Sequence, residues 1–255
     1  MIIIAGRSVD AAEISSAFPV NSVERDIIQI LASSQAKYAY DAQRDLTFEL
    51  NLRREIINAA NELYHSNMAF KVFRKTTCNP AYWNRLSNGG FLLKEGVKPS
   101  AAINDIFINS SMYGTECATA MVIVYYKALL SIYPEQLFNQ LFPSIYLMNW
   151  HNIDPLLKEI GMMQEEPDYL PGDRRYFANP DVNPLTPEWQ GENVIQMGNG
   201  LYYGHGLGKY DAATIISELN KNRRIGADTS AYLMDSAGRP NFKNLGDIYY
   251  KAISG

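Results

Sequence analysis

A chain of 255 residues, 47% hydrophobic and 20% charged, has the composition of an ordinary soluble globular protein and room for one large core or two small ones. No internal period or biased tract marks a solenoid or a disordered tail. The formal net charge of −4 argues against nucleic acid as a partner, since phosphate binding draws on a basic field, and leaves proteins and small molecules.

Met1-Ile-Ile-Ile-Ala-Gly has no basic region, a very short apolar run and acidic residues soon after. It predicts a short strand over Ile2 to Ile4 rather than a signal peptide, so cytoplasmic synthesis is expected. Val23, Ile27, Ile28 and Leu31 recur at helical spacing within Ser22 to Ala32. The longest helix is predicted from Ala42 to Ser66, with Leu46, Leu50, Ile56, Ile57, Ala60 and Leu63 inward and Arg44, Asp45, Arg53, Arg54 and Glu55 mostly outward. His65 at its end reads as a cation near a helix C-terminus. Cys78, in a polar loop without an activating partner, reads as incidental, and two cysteines are too few for a disulfide framework. Tyr82-Trp-Asn-Arg-Leu and Phe91-Leu-Leu-Lys flank a glycine turn and predict a hairpin; Pro99 and Ser100 start a helix through Ile103, Ile106 and Phe107.

The stretch from Tyr113 to Leu130, Tyr-Gly-Thr-Glu-Cys-Ala-Thr-Ala-Met-Val-Ile-Val-Tyr-Tyr-Lys-Ala-Leu-Leu, predicts a buried helix with a cysteine in its first turn. With Thr115 as N-cap, Cys117 falls at the second helical position, where unpaired N–H groups and the helix dipole favour a thiolate. Glu116 opposes this, because a neighbouring negative charge raises a thiol pKa. A nucleophile and a buried structural cysteine both suit the position. The apolar run from Ala120 to Tyr126 is far shorter than the roughly 20 residues that span a bilayer, so no membrane partner is expected.

A short helix over Pro134 to Phe142 and a strand over Ser144 to Trp150 are predicted next, then His151 as a loop histidine bonded to a group such as Asp154. Gly161 to Glu188, acidic and proline-rich, reads as irregular surface chain that shapes a site. Trp189-Gln-Gly-Glu-Asn-Val-Ile-Gln-Met and Leu201-Tyr-Tyr-Gly-His-Gly-Leu-Gly then predict a hairpin turning at Gly198 to Gly200. A Gly198-Asn199 loop sets Glu192 opposite His205, and an Asn199-Gly200 loop makes them diagonal neighbours; either way they share a face. Carboxylate and imidazole side by side supply a base and its orienter to a cysteine nucleophile, and would equally make a structural ion pair. Asp211 to Arg224 predicts a helix stopped by Gly226, and Ser230 to Met234 a last strand.

Glu116-Cys-Ala-Thr-Ala-Met-Val-Ile-Val-Tyr-Tyr, Gly191-Glu-Asn-Val-Ile and His205-Gly-Leu-Gly, in that order, resemble the small protein-glutamine gamma-glutamyltransferases of spore-forming bacilli, the spore-coat transglutaminases. Weaker similarity covers nearly the whole chain, with departures between Ile160 and Asn179 and after Ala237. The resemblance implies an α+β single domain over residues 1–255, with a papain-like core in which a nucleophile helix packs on an antiparallel sheet. It further implies calcium-independent cross-linking of protein glutamine and lysine through a Cys117 thioester, with no cofactor, Glu192 as acid and base, and His205 as the third member holding it. Glu116 is a possible auxiliary, and Tyr113, Trp150 and Trp189 are candidate walls of an apolar substrate tunnel. Substrates with reactive Gln and Lys, coat proteins among them, and a spore-coat location follow from the resemblance alone. No loop carries the alternating carboxylates and central glycine of a calcium site. A papain-like amidase or peptidase and an inactive coat protein are the alternatives.

Overall fold

The computed structural model describes residues 1–150 and 152–254, so the expectation for His151 lies outside the described residues. The chain opens with β1 (Ile2–Ile4), β2 (Arg7–Ser8) and α1 (Ala11–Ser15), followed by α2 (Val23–Ser33), whose N-terminus is capped by the Ser22 hydroxyl. β3 (Tyr38–Tyr40) runs parallel to β1, and β2 flanks β1 on its other side. The ladder supports a small cluster in which Ile2, Ile4, Ile27, Ile28 and Leu31 meet Leu46 and Leu50 of α3 (Gln43–Tyr64). Every residue expected on the inner side of α3 is buried. Arg53, expected outside, is 0% exposed. Its guanidinium is paired with Glu49 on the same helix and with Asp173 from a distant loop, which is what allows a charge there.

After α3 come β4 (Ala69–Phe70), the predicted hairpin as β5 (Trp83–Arg85) and β6 (Phe91–Leu93), and α4 (Pro99–Ile108). β7 (Gly114–Thr115) pairs parallel with β4 and delivers the chain into α5 (Cys117–Ile132). All but a few side chains of α5 are buried, because it packs against α3, α4 and the main sheet at once. Each fully buried Val, Ile, Met or Leu here contributes about 1.5–3 kcal/mol of transfer free energy. α6 (Glu135–Leu141) and β8 (Tyr146–Leu147) follow; β8 joins the hairpin sheet and is shorter than the predicted strand, since Asn149 turns to a positive φ of 41°.

The main sheet is antiparallel throughout, in the order β12-β11-β10-β9-β13, from β9 (Arg174–Ala178), β10 (Gly191–Gly198), β11 (Leu201–Gly204), β12 (Gly208–Asp211) and β13 (Tyr232–Leu233). One face meets α5; the other carries Phe177 and Val194 against α7 (Ala212–Asn220), whose Ile215 and Leu219 are buried. The α+β architecture of a helix on an antiparallel sheet is therefore present. β9 corrects the expectation of irregular chain from Gly161 to Glu188: it is an interior strand. α8 (Phe242–Ile253), not anticipated, closes over α3 with Phe48 against Tyr249 and Tyr250.

Candidate active site

Cys117 occupies the first position of α5, not the second, because the N-cap is Glu116 rather than Thr115. The Glu116 carboxylate accepts from Ala118 N–H at 2.6 Å, Thr119 N–H at 2.9 Å and the Thr119 hydroxyl. A side-chain anion thus fills the helix terminus that was expected to stabilise a thiolate. Cys117 is half-buried. Desolvation, then the charges of Glu192 and Glu116, push its thiol well above the usual range, and hydrogen bonds from Asn193 oppose the shift.

Glu192, on β10, is 6% exposed, and its carboxyl and the Cys117 thiol are near enough that each acts on the other's titration. Burial raises its pKa well above a normal carboxylate, the Glu116 charge adds to the rise, and contact with Cys117 partly offsets it. Oε1 has no hydrogen-bond partner among the described residues. It rests over Gly204, where a Cβ would sit only 2.7 Å from it, so this approach requires glycine.

His205 lies elsewhere than the hairpin arithmetic expected. The turn is the two-residue Asn199-Gly200 loop, both residues at positive φ, but β10 bulges at Met197. Beyond the bulge Val194 faces Gly204 and Ile195 faces Tyr203, so Glu192 and a residue at 205 no longer share a face. β11 ends at Gly204, leaving His205 in the turn to β12. The imidazole is 3% exposed. Its Nε2 is 3.2 Å from the Ala69 carbonyl, which can only accept, and Nδ1 is 3.3 Å from the Tyr203 hydroxyl. Burial lowers its pKa to about 4, leaving it neutral. Among the described residues neither nitrogen is hydrogen-bonded to Glu192.

Of the candidate tunnel walls, Trp150 and Trp189 are half-buried at the edges of the main core and of the α7 cluster. Tyr113 is 1% exposed within the main core, its hydroxyl donating to Asp105. Three neighbours of the site were not anticipated. Asn193 points Nδ2 at the Cys117 sulfur, 3.6 Å away; Arg174 binds Asn193; Phe70, 38% exposed, stands 6.3 Å from the His205 ring. Asn193 was in view, next to Glu192 in Gly191-Glu-Asn-Val-Ile, whereas Arg174 and Phe70 carry no local signal. Among the described residues no three His, Cys, Asp or Glu side chains are grouped to hold a metal, and no helix is long and apolar enough to cross a membrane.

Residues 1–249 match the profile of a family described as protein-glutamine gamma-glutamyltransferase. The chain belongs to the protein-glutamine gamma-glutamyltransferase family. A protein of that name from Bacillus cereus (strain 03BB102) is 46% identical over 239 residues, 93% of this chain and 86% of its own. Another, from Bacillus mycoides (strain KBAB4), is 46% identical over 235 residues, 92% of this chain and 84% of its own. Among solved structures, a transglutaminase from Geobacillus stearothermophilus without its C-terminal extension superposes with a TM-score of 0.77 at 46% identity, covering 81% of this chain and 98% of that one. In this gamma-glutamyltransferase-family chain, a thiol and a buried carboxyl are neighbours at the head of the central helix.

Proposed function

We propose that residues 1–255 form one domain that cross-links protein glutamine and lysine side chains through a thioester on Cys117, without calcium. The observation that carries this is the placement of Glu192, buried and proton-avid, on the strand whose next residue, Asn193, donates to the Cys117 sulfur. In the first half-reaction the thiol proton passes to the Glu192 carboxylate and sulfur adds to the glutamine γ-carbonyl. The carboxylic acid then protonates the leaving nitrogen, so ammonia departs and a thioester and a carboxylate remain. In the second, a neutral lysine amine adds to the thioester, Glu192 takes its proton and the isopeptide forms, and the proton returns to the departing sulfur. A carboxyl at its ordinary pKa would be ionised near neutrality, with almost no proton to give the leaving nitrogen; burial, which raises its pKa, corrects this.

His205 is assigned a positioning role, since its neutral ring ties the β11–β12 turn to Ala69, beside the strand that leads into α5. Glu116 is an auxiliary that caps the helix. Selectivity for amine over water calls for a dry approach to sulfur, for which half-buried Trp150 and Trp189 are the better wall candidates than Tyr113. Proteins with accessible Gln and Lys are the partners, and the coat of a spore is the setting the Bacillus relatives suggest.

The test is a parallel assay in excess EGTA, following ammonia release and incorporation of a fluorescent primary amine into casein. Incorporation by the parent, absent in Cys117→Ala, is expected. Ammonia without incorporation would make the protein an amidase, and full activity in Cys117→Ala would overturn the mechanism.

A further inference from the structure

We propose that Arg174 is a positioning residue that fixes the Asn193 amide as a hydrogen-bond donor to the Cys117 sulfur and sets an unpaired positive charge behind it. This rests on the reading of Cys117 as the nucleophile. Arg174 opens β9 directly across from Ile195, and alternation puts it on the same face as Asn193, diagonal to it. Its side chain is 3% exposed. Of the other two buried arginines, Arg53 is matched by carboxylates and Arg175 donates to three oxygens, of Ser236, Gln196 and Met234, whereas no ion pair among the described residues includes Arg174.

What holds this guanidinium is sparse. It stacks 4.1 Å from the centre of the Trp150 ring, donates from Nη1 to Asn193 Oδ1 at 2.6 Å and from Nη2 to the Gly161 carbonyl at 3.5 Å, and among the described residues Nε has no partner. A buried charge so poorly compensated is expensive, which argues that its place has another use. A guanidinium has donors only, so Asn193 must turn its oxygen toward Arg174; Nδ2 is thereby committed to Cys117 Sγ, 3.6 Å away.

The charge matters once the proton leaves. Cys117 faces two carboxyls, Glu192 and Glu116, both of which oppose a thiolate. Arg174 faces Cys117, Tyr125 and Tyr176, and burial lowers its pKa to about 10, so it stays charged at neutral pH. The thiolate formed when Glu192 takes the proton therefore meets an oriented N–H and, one amide further, a cation that no ion pair among the described residues neutralises.

The test measures alkylation of Cys117 by iodoacetamide from pH 5 to 10 in a Cys78→Ser background, for the parent, Arg174→Met, Arg174→Lys, Asn193→Ala and the double variant Arg174→Met/Asn193→Ala. Arg174→Met is expected to move the profile to higher pH, lowering the rate at pH 7 about tenfold, one unit of thiol pKa, with the high-pH plateau unchanged. Asn193→Ala should move it the same way and the double variant little further, since the two act in series. Arg174→Lys, which keeps charge without the planar fork, should fall between. Should Arg174→Met fail to fold, Arg174→Lys and Asn193→Ala carry the comparison. Coincident profiles in folded variants, or fully additive shifts, would overturn the proposal. Loss of cross-linking in Cys117→Ala with unshifted profiles condemns Arg174 alone; retained cross-linking in Cys117→Ala condemns the nucleophile itself.

Discussion

Burial raises the Glu192 carboxyl and the Cys117 thiol together, and the consequences for stability can be signed. With its folded pKa above the unfolded one, Glu192 makes the folded chain bind more protons than the unfolded chain between the two values. Its contribution to stability is therefore fully present below the unfolded pKa and is lost as pH rises through the folded one. Glu192→Gln removes that loss. It should melt higher than the parent near neutrality, by about 2–4 °C for each 1 kcal/mol in a chain this size, with the difference shrinking toward pH 4.5. Amine incorporation should fall at least about 100-fold. Melting curves from pH 4.5 to 8 beside the incorporation assay check this; a variant that melts lower at neutral pH and keeps its turnover would remove Glu192 from the acid–base role. His205 runs the other way. Its pKa is lowered to about 4, so its contribution is present above its ordinary range near 6.5 and is lost as pH falls through about 4.

Among the elements, α5 owes its start to Glu116, which satisfies two free N–H groups. Glu116→Ala should lose about 1–2 kcal/mol of stability, as for other strong N-caps, and should also speed Cys117 alkylation at a given pH, since a negative charge leaves and helix donors are freed. Urea titration and iodoacetamide kinetics read the two effects; an unchanged alkylation rate would mean the carboxylate does not govern the thiol. α5 was legible because its apolar run has no competing pattern, and α3 because its inward positions recur at helical spacing. β9 was not: Arg174 and Arg175 stand where strand alternation calls for apolar side chains, and both are buried only because residues far along the chain receive them. The hairpin carrying Glu192 was found and its Asn199-Gly200 loop was one of two weighed, but a bulge at Met197 has no sequence signature, and it separated His205 from Glu192. The motifs offered Cys117 and Glu192 as candidates, which the structure places side by side, whereas the Arg174–Asn193 hydrogen bond depends on a strand that was not seen.

For the molecule as a whole, one carboxylate ties distant parts together. Asp173, 0% exposed, accepts from Arg53 of α3 and twice from Arg239 just before α8, and its Oδ2 also receives the Leu170 N–H. The two guanidinium charges hold its pKa below the normal range despite burial. Asp173→Asn leaves both arginines without their shared counter-charge, and about 3–5 kcal/mol of stability should go with it. Urea unfolding at pH 7 measures this, and a loss under about 1 kcal/mol would show that Glu49 and Glu166 suffice. The capped terminus of α5 also decides how the protein weathers its surroundings. Peroxide attacks thiolates, and a cysteine poised as an anion is open to oxidation whenever its enzyme stands idle. With Glu116 in the place a thiolate would use, and burial raising its pKa, Cys117 is held toward the thiol form, which on the proposed mechanism confines its exposure to peroxide to the moments of reaction.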